Sequence, residues 1–226
     1  MELESIVPWG RSYDEYIRMF SLLPEDLTTR ILGCGDGPAA FNGELTTRGG
    51  SVTSLDPIYA FAADEIEARI AATAEMILRE IQQKHHQYLW EEIPSPEILL
   101  HTRREAMARF LRDYPIGREE GRYVAGALPE LPFTADQFDL VLCSHLLFTY
   151  SHHLNEAFHI NAVETMLGVG RELRVFPVLQ LDGSPSPHLE PLCAHLDSAG
   201  YHVRLETVAY EFQRGGNRML RIQRPA

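Results

Sequence analysis

The residues of this chain best placed to do chemistry are Gly33, Gly35 and Gly37, in the run Arg30-Ile-Leu-Gly-Cys-Gly-Asp-Gly-Pro-Ala-Ala-Phe41, and Asp56, which closes the run Ser51-Val-Thr-Ser-Leu-Asp56. An apolar run that enters a glycine-rich turn lets the backbone come close to a ligand, because glycine has no side chain and reaches positive φ at little cost. The helix expected after the turn, over 39–48, directs unpaired N–H groups toward an anionic or polar ligand group. Residues 52–55 read as a short buried strand, and Asp56 at its C-terminal end is placed to accept hydrogen bonds from two ribose hydroxyls. Strand, glycine turn, helix and carboxylate-tipped strand together make a βαβ unit that holds an adenosine-containing ligand. The alternative is that Asp56-Pro57 merely starts a turn.

These residues, with the later phrase Leu131-Pro-Phe-Thr-Ala-Asp-Gln-Phe-Asp-Leu-Val-Leu-Cys-Ser-His-Leu-Leu147, resemble the class I S-adenosylmethionine-dependent methyltransferases. The later phrase resembles that family's approach to strand four, which ends beside the cofactor. The resemblance covers 30–56 and 122–226 well, the N-terminus loosely and the middle hardly at all. It implies S-adenosyl-L-methionine as cofactor, held by Gly33, Gly35, Asp36, Gly37, Asp56, Pro57, Ile58, the backbone of Leu128, and Ser144. It also implies methyl transfer to a small or medium acceptor. The distance to Asp56 favours a register in which Gly35, Gly37 and Ala39 fill the family's three glycine positions, so that Gly33 stands where the family carries an acid. Ala127 likewise stands where many relatives place an acid on the adenine amino group. A non-catalytic relative that binds S-adenosylmethionine or S-adenosylhomocysteine as a sensor or partner module is therefore one alternative. A NAD-dependent Rossmann oxidoreductase is another.

His145 is the catalytic candidate. It follows Ser144 at the end of the expected fourth strand, beside donor and acceptor in the resembling enzymes, where a neutral imidazole could take a proton from an acceptor oxygen or nitrogen. Capping the strand is its competing role. Four histidines, His145, His152, His153 and His159, fall in one stretch, yet adjacent histidines on a helix diverge, so no metal site is expected and the others read as solvated.

The remaining elements must position these groups. Ser12-Tyr13-Asp14-Glu15 has capping-box spacing and opens a helix with Tyr13, Tyr16, Ile17 and Phe20 on one face, which makes 1–28 a helical cover. Within it Trp9, Arg11, Tyr13 and Tyr16 are candidate walls of the cofactor site, and Arg11 could bind the cofactor's carboxylate through its planar fork. A helical insertion spans about 60–118. One helix runs from Asp64 to about Gln87 with Ile66, Ile70, Ile77 and Ile81 as its stripe, and a second runs from Pro96 to near Tyr114-Pro115 with Leu99, Ala106, Phe110 and Leu111. The insertion is either a substrate-selecting lid or else a dimer surface or packing elaboration, and Arg103-Arg104 reads as a solvated face. Later come a helix at 162–172, a strand at 173–181, a helix at 189–199, and strands at 201–210 and 218–223. The expected fold is a single α/β domain over 1–226, with a Rossmann-like doubly wound sheet of about seven strands, mostly parallel with an antiparallel C-terminal strand.

Composition excludes several function classes. The chain has 226 residues, a formal net charge of −12 and a single lysine, Lys84, which argues against nucleic acid and anionic membranes as partners. A small-molecule acceptor is the expected partner, with a homodimer left open. Cys34, Cys143 and Cys193 are odd in number and sit in apolar segments, as reduced cytoplasmic thiols do. No charged-then-apolar leader opens the chain and no run reaches membrane-span length, so a cytoplasmic protein is expected. A Gly-x-Ser-x-Gly nucleophile turn and a phosphate-binding Gly-x-x-x-x-Gly-Lys loop are both absent.

Overall fold

Apolar runs alternating with amphipathic helices can bury their faces by building one sheet with helices on both sides. The computed structural model describes residues 8–225, so the part of the expected N-terminal cover at 1–7 lies outside the described residues. Strands β1 (Arg30–Cys34), β2 (Ser51–Leu55), β3 (Tyr123–Val124), β4 (Phe138–Ser144), β5 (Gly170–Phe176), β6 (His202–Thr207) and β7 (Arg218–Gln223) form one sheet in the order β3-β2-β1-β4-β5-β7-β6. Six strands share one direction, and β7 lies antiparallel between β5 and β6. This is the expected Rossmann-like sheet with an antiparallel C-terminal strand. The order reverses between β1 and β4, and the crevice beyond their carboxyl ends is where open α/β sheets bind ligands.

The N-terminal helix α1 (Tyr13–Met19) starts with the predicted capping box. Ser12 Oγ accepts the Glu15 N–H while the Glu15 carboxylate accepts the Ser12 N–H at 2.9 Å. Tyr16 stacks on Phe41 of α2 (Phe41–Thr47) with ring centroids 4.6 Å apart, which seats α1 on the sheet face. Its C-terminal end is pinned by the buried Arg174 of β5, which donates to the Phe20 carbonyl at 2.9 Å and to Asp26 at 3.0 Å.

Between β2 and β3 lie α3 (Ala63–Gln83) and α4 (Pro96–Glu119), packed on each other through the predicted stripe Ile66, Ile70, Ile77, Ile81 and Leu99, all buried. The segment after α3 is tied to the C-terminal loop. Leu89 N–H donates to the Phe212 carbonyl and Arg214 N–H to the Gln87 carbonyl, both at 2.8 Å, and Tyr88 stacks on Phe212 at 4.9 Å. Two further helices, α5 (Glu156–Val169) and α6 (Leu189–Ser198), complete the layers. No helix among the described residues is long and apolar enough to cross a membrane.

Several boundaries differ from expectation for physical reasons. Helix α4 does not stop at Tyr114 but continues through Pro115 to Glu119. The interior proline costs about 3 kcal/mol in an isolated helix, and contacts on both sides of it hold this end of the helix. Tyr114 Oη donates to the Tyr59 and Phe61 carbonyls at 2.9 Å, and Arg118 donates to Phe61 at 3.3 Å. Helix α5 begins earlier than 162, at the cap where Asn155 Oδ1 accepts the Phe158 N–H at 2.9 Å. Strand β5 takes 170–176 instead of 173–181, because Pro177 has no N–H to continue the ladder. Strand β6 is shorter than 201–210, and its ladder to β7 ends at Thr207.

Pro115 is exposed, so relieving it has no packing cost. Pro115→Ala should raise stability by about 1–2 kcal/mol, the helix gain less the entropy returned to the unfolded chain. A urea midpoint that stays constant or falls would show that α4 is not strained there.

Candidate active site

At the carboxyl ends of β1, β2 and β4 the chain encloses a cavity of about 690 Å³, within the roughly 300–1,000 Å³ usual for small-molecule sites. Its floor is the glycine turn. Gly35 has φ +69° and Gly37 φ +53°, a region costly for side-chain-bearing residues. A Cβ on Gly35 would lie 2.5 Å from Leu146 Cδ2, whereas one on Gly37 would meet only Asp56 Oδ2, at 4.0 Å. Gly37 is therefore the place where a ligand can approach the backbone. Asp56 Oδ2 accepts the Gly37 N–H at 2.9 Å, and Oδ1 accepts the Ile58 N–H at 2.8 Å, capping the turn Pro57–Ala60. Each oxygen keeps lone pairs for a ligand, and Asp56, Pro57, Ile58 and Leu128 all line the cavity.

Gly33 does not belong to this lining. It lies within β1, paired with Ser54 and Leu142, and a Cβ there would stand 1.8 Å from Asp36 Oδ2. The volume in which a side chain at position 33 would begin is filled by the Asp36 carboxylate. Asp36 accepts the Tyr16 hydroxyl at 2.8 Å and the Ser54 hydroxyl at 2.6 Å. Burial raises its carboxyl to about 6, even though both hydrogen bonds oppose the rise.

The N-terminal wall is formed by Trp9, Arg11 and Tyr16. Tyr13 is not part of it, because its ring is taken up by Phe41, stacked at 5.7 Å, and by the Arg48 guanidinium at 4.4 Å. Arg11 donates to the Trp9 carbonyl, leaves Nε without a partner and forms no ion pair among the described residues. Beside it stands a group that sequence reasoning missed. Arg103, expected on a solvated face, is 1% exposed and pairs with Glu15, whose other oxygen accepts the Tyr210 hydroxyl at 2.9 Å. Burial would raise the Glu15 carboxyl, but Arg103 and Arg11 hold it at about 2. The signal was available, since Leu99, Arg103, Ala106 and Phe110 share one helical face.

His145 closes the far side. Its backbone is left-handed, φ +50°, and its N–H donates to the Phe176 carbonyl at 2.7 Å. Its ring meets Phe176 edge-on with centroids 5.5 Å apart, and Nδ1 is 2.9 Å from Ser144 Oγ. Burial, then the charges of Arg11 and Arg103, push the imidazole well below its ordinary range, so it is neutral at pH 7. The same cavity is also lined by the apolar side chains of Ile77 and Ile81 of α3, Leu99 of α4, Tyr88 and Phe212.

Of the other histidines, His159 is not solvated. It is buried in the core between the Asn155 carbonyl, 2.9 Å from Nδ1, and the Leu147 carbonyl, 3.1 Å from Nε2. Among the described residues no group of three or more His, Cys, Asp or Glu side chains could hold a metal ion.

No protein-family model matches the chain. The uncharacterized protein MJ0045 of Methanocaldococcus jannaschii is 31% identical over 225 residues, 99% of each chain. Among solved structures, magnesium protoporphyrin IX methyltransferase from Synechocystis with bound S-adenosylmethionine superposes with a TM-score of 0.46 at 11% identity, over 89% of this chain and 73% of that one. A methyltransferase from Thermotoga maritima, described as a possible histamine N-methyltransferase, gives 0.46 at 14% identity over 95% and 90%. The fold assignment stands on the strand order itself.

Asp36 leaves a pH signature. Because its carboxyl rises from the ordinary 3.8 to about 6, the folded chain holds that proton more tightly than the unfolded chain does. The stabilisation is complete below about pH 4 and is lost as pH rises through 6, a difference of about 3 kcal/mol. In urea unfolding without cofactor, wild type should lose about that much relative to Asp36→Asn between pH 4 and pH 7.5. Parallel profiles would show that this carboxylate is not desolvated.

Proposed function

The chain belongs to the family of the uncharacterized protein MJ0045, and from that premise and the cavity's geometry we propose that it transfers the methyl group of S-adenosyl-L-methionine to a small or medium acceptor. The observation that carries this reading is the complementarity of one crevice to a nucleoside joined to an amino acid. Asp56 would take the ribose hydroxyls, with Pro57, Ile58 and the Leu128 backbone against the adenine. Gly37 leaves room for the chain between nucleoside and amino acid, and Gly35 allows the turn to pack against Leu146. Asp36, a desolvated carboxylate with lone pairs to spare, suits the ammonium group, and Arg11, which has no ion-pair partner among the described residues, suits the carboxylate. Gly33 contributes by lacking a side chain, so that Asp36 can occupy the place where the resemblance expects an acid at position 33.

When bound, the cofactor supplies an activated methyl group on a sulfonium, and the protein has to align the acceptor, exclude water and receive a proton. Ser144 and His145 lie at the end of β4 beside the crevice, and α3 with α4 roofs the space above them. A neutral imidazole there is competent to take a proton, which favours a catalytic over a purely binding role.

Calorimetry tests the reading. S-adenosylmethionine and S-adenosylhomocysteine should bind and NAD should not. Asp56→Ala should weaken both sulfur ligands by about 1.5–3 kcal/mol. Arg11→Met should weaken S-adenosylhomocysteine but spare 5′-methylthioadenosine, which lacks the amino-acid end. Binding of NAD alone, or an affinity unmoved by Asp56→Ala, would overturn the assignment.

A further inference from the structure

The apolar stripe of α3 has two fates. Its first half, Ile66 and Ile70, packs into a closed cluster with Tyr59, Met107, Phe110 and Tyr114, and none of these side chains lines the cavity. Its second half, Ile77 and Ile81, joins Tyr88 and Leu99 in a separate cluster against which Trp9 and Phe212 pack, and all of these residues line the cavity. The insertion thus carries an apolar surface that borders a space its own side chains do not fill. The backbone holds that surface in shape: Tyr88 and Gln213 form an antiparallel bridge, flanked by the bonds from Leu89 N–H to the Phe212 carbonyl and from Arg214 N–H to the Gln87 carbonyl. An open apolar space forfeits dispersion contacts for every atom that lines it, and water restores few of them, so an apolar occupant is favoured.

The charged groups that line the same cavity leave no counter-ion for such an occupant. Arg103 is paired with Glu15 and donates to the Tyr210 hydroxyl at 3.3 Å. Arg69 is exposed and so keeps its hydration, with its guanidinium over the Phe61 ring at 3.7 Å. Asp36, Asp56 and Arg11 belong to the cofactor in the methyl-transfer reading. The Gln213 amide already donates to the Leu181 carbonyl at 3.2 Å. A charged molecule entering here would lose its hydration without gaining a partner, a cost that apolar contacts do not offset.

We infer that the methyl acceptor is an uncharged, largely apolar molecule, and that Ile77, Ile81, Tyr88, Leu99 and Phe212 are the residues that select it. The inference rests on the methyl-transfer reading, because the cofactor is what fills the part of the cavity around Asp36 and Asp56 and leaves the apolar part to the acceptor. Within that reading α3 and α4 are the specificity element of the chain. The sheet crevice recognises the methyl donor, and the second half of the α3 stripe recognises what is methylated.

Two fluorescent probes built on one skeleton test the inference: N-phenylnaphthylamine, which is neutral, and anilinonaphthalenesulfonate, which adds a sulfonate. With the chain saturated by S-adenosylhomocysteine, the neutral probe should bind about tenfold more tightly than the sulfonate. Ile77→Gln and Leu99→Gln should each weaken the neutral probe by about tenfold. S-adenosylhomocysteine titrated into the same variants should keep its affinity within about twofold, which also shows that they are folded. Met76→Gln, at an exposed position outside the cavity lining, should leave the neutral probe unchanged. No binding of the neutral probe, equal or tighter binding of the sulfonate, or displacement of the neutral probe by S-adenosylhomocysteine would overturn the inference. So would neutral-probe binding unmoved by both cavity variants, or a loss in Met76→Gln equal to theirs. Should a cavity variant fail to fold, the comparison of the two probes on the unaltered chain decides. Failure of the methyl-transfer reading shows instead as absence of S-adenosylhomocysteine binding in calorimetry, a separate readout from the preference between probes.

Discussion

The buried carboxylate of Asp36 is the interaction on which the rest of the crevice depends. It sits in space that exists only because position 33 is glycine, and it is held by a hydroxyl from α1 and another from β2. One side chain thus joins the glycine turn, the N-terminal helix and the second strand. Two hydrogen bonds to a charged group are worth about 1.5–3 kcal/mol each, yet its carboxyl is still raised to about 6, so desolvation is not fully offset. A carboxylate left short of compensation favours a cation at that point.

The cationic part of the same crevice has the reverse imbalance. Glu15 neutralises one guanidinium, that of Arg103, and Tyr210 binds to both partners. Removing one member of such a buried pair would strand the other, which makes the group a rigid support more than a source of net stability. Arg11 forms no ion pair among the described residues. The incompletely compensated carboxylate of Asp36 and this Arg11 guanidinium line the same cavity and suit the two charged groups of an amino acid.

Much of the fold was legible because it follows local rules. The βαβ unit, the insertion's apolar stripe, the capping box at Ser12 and the terminal antiparallel strand all rest on spacing within a short window. Boundaries were less legible where distant contacts decide them: α4 passes Pro115 because Tyr114 and Arg118 reach carbonyls more than fifty positions away. That Gly35, Gly37 and Asp56 line one cavity follows from the short spacing of the motif. The position of the Asp36 carboxylate in the space beside Gly33 could not be read from it, because its partners Tyr16 and Ser54 come from separate elements. Arg103 was misread because a charge on an otherwise apolar helical face was treated as solvated when its acid lay on α1.

A crystal structure of the chain with S-adenosylhomocysteine tests the central claim most directly. The account predicts the ribose hydroxyls on Asp56, the amino group within hydrogen-bonding distance of the Asp36 carboxylate, and the carboxylate on Arg11. A ligand whose amino group lies elsewhere, with Asp36 still closed on Tyr16 and Ser54 and out of contact with it, would contradict the claim.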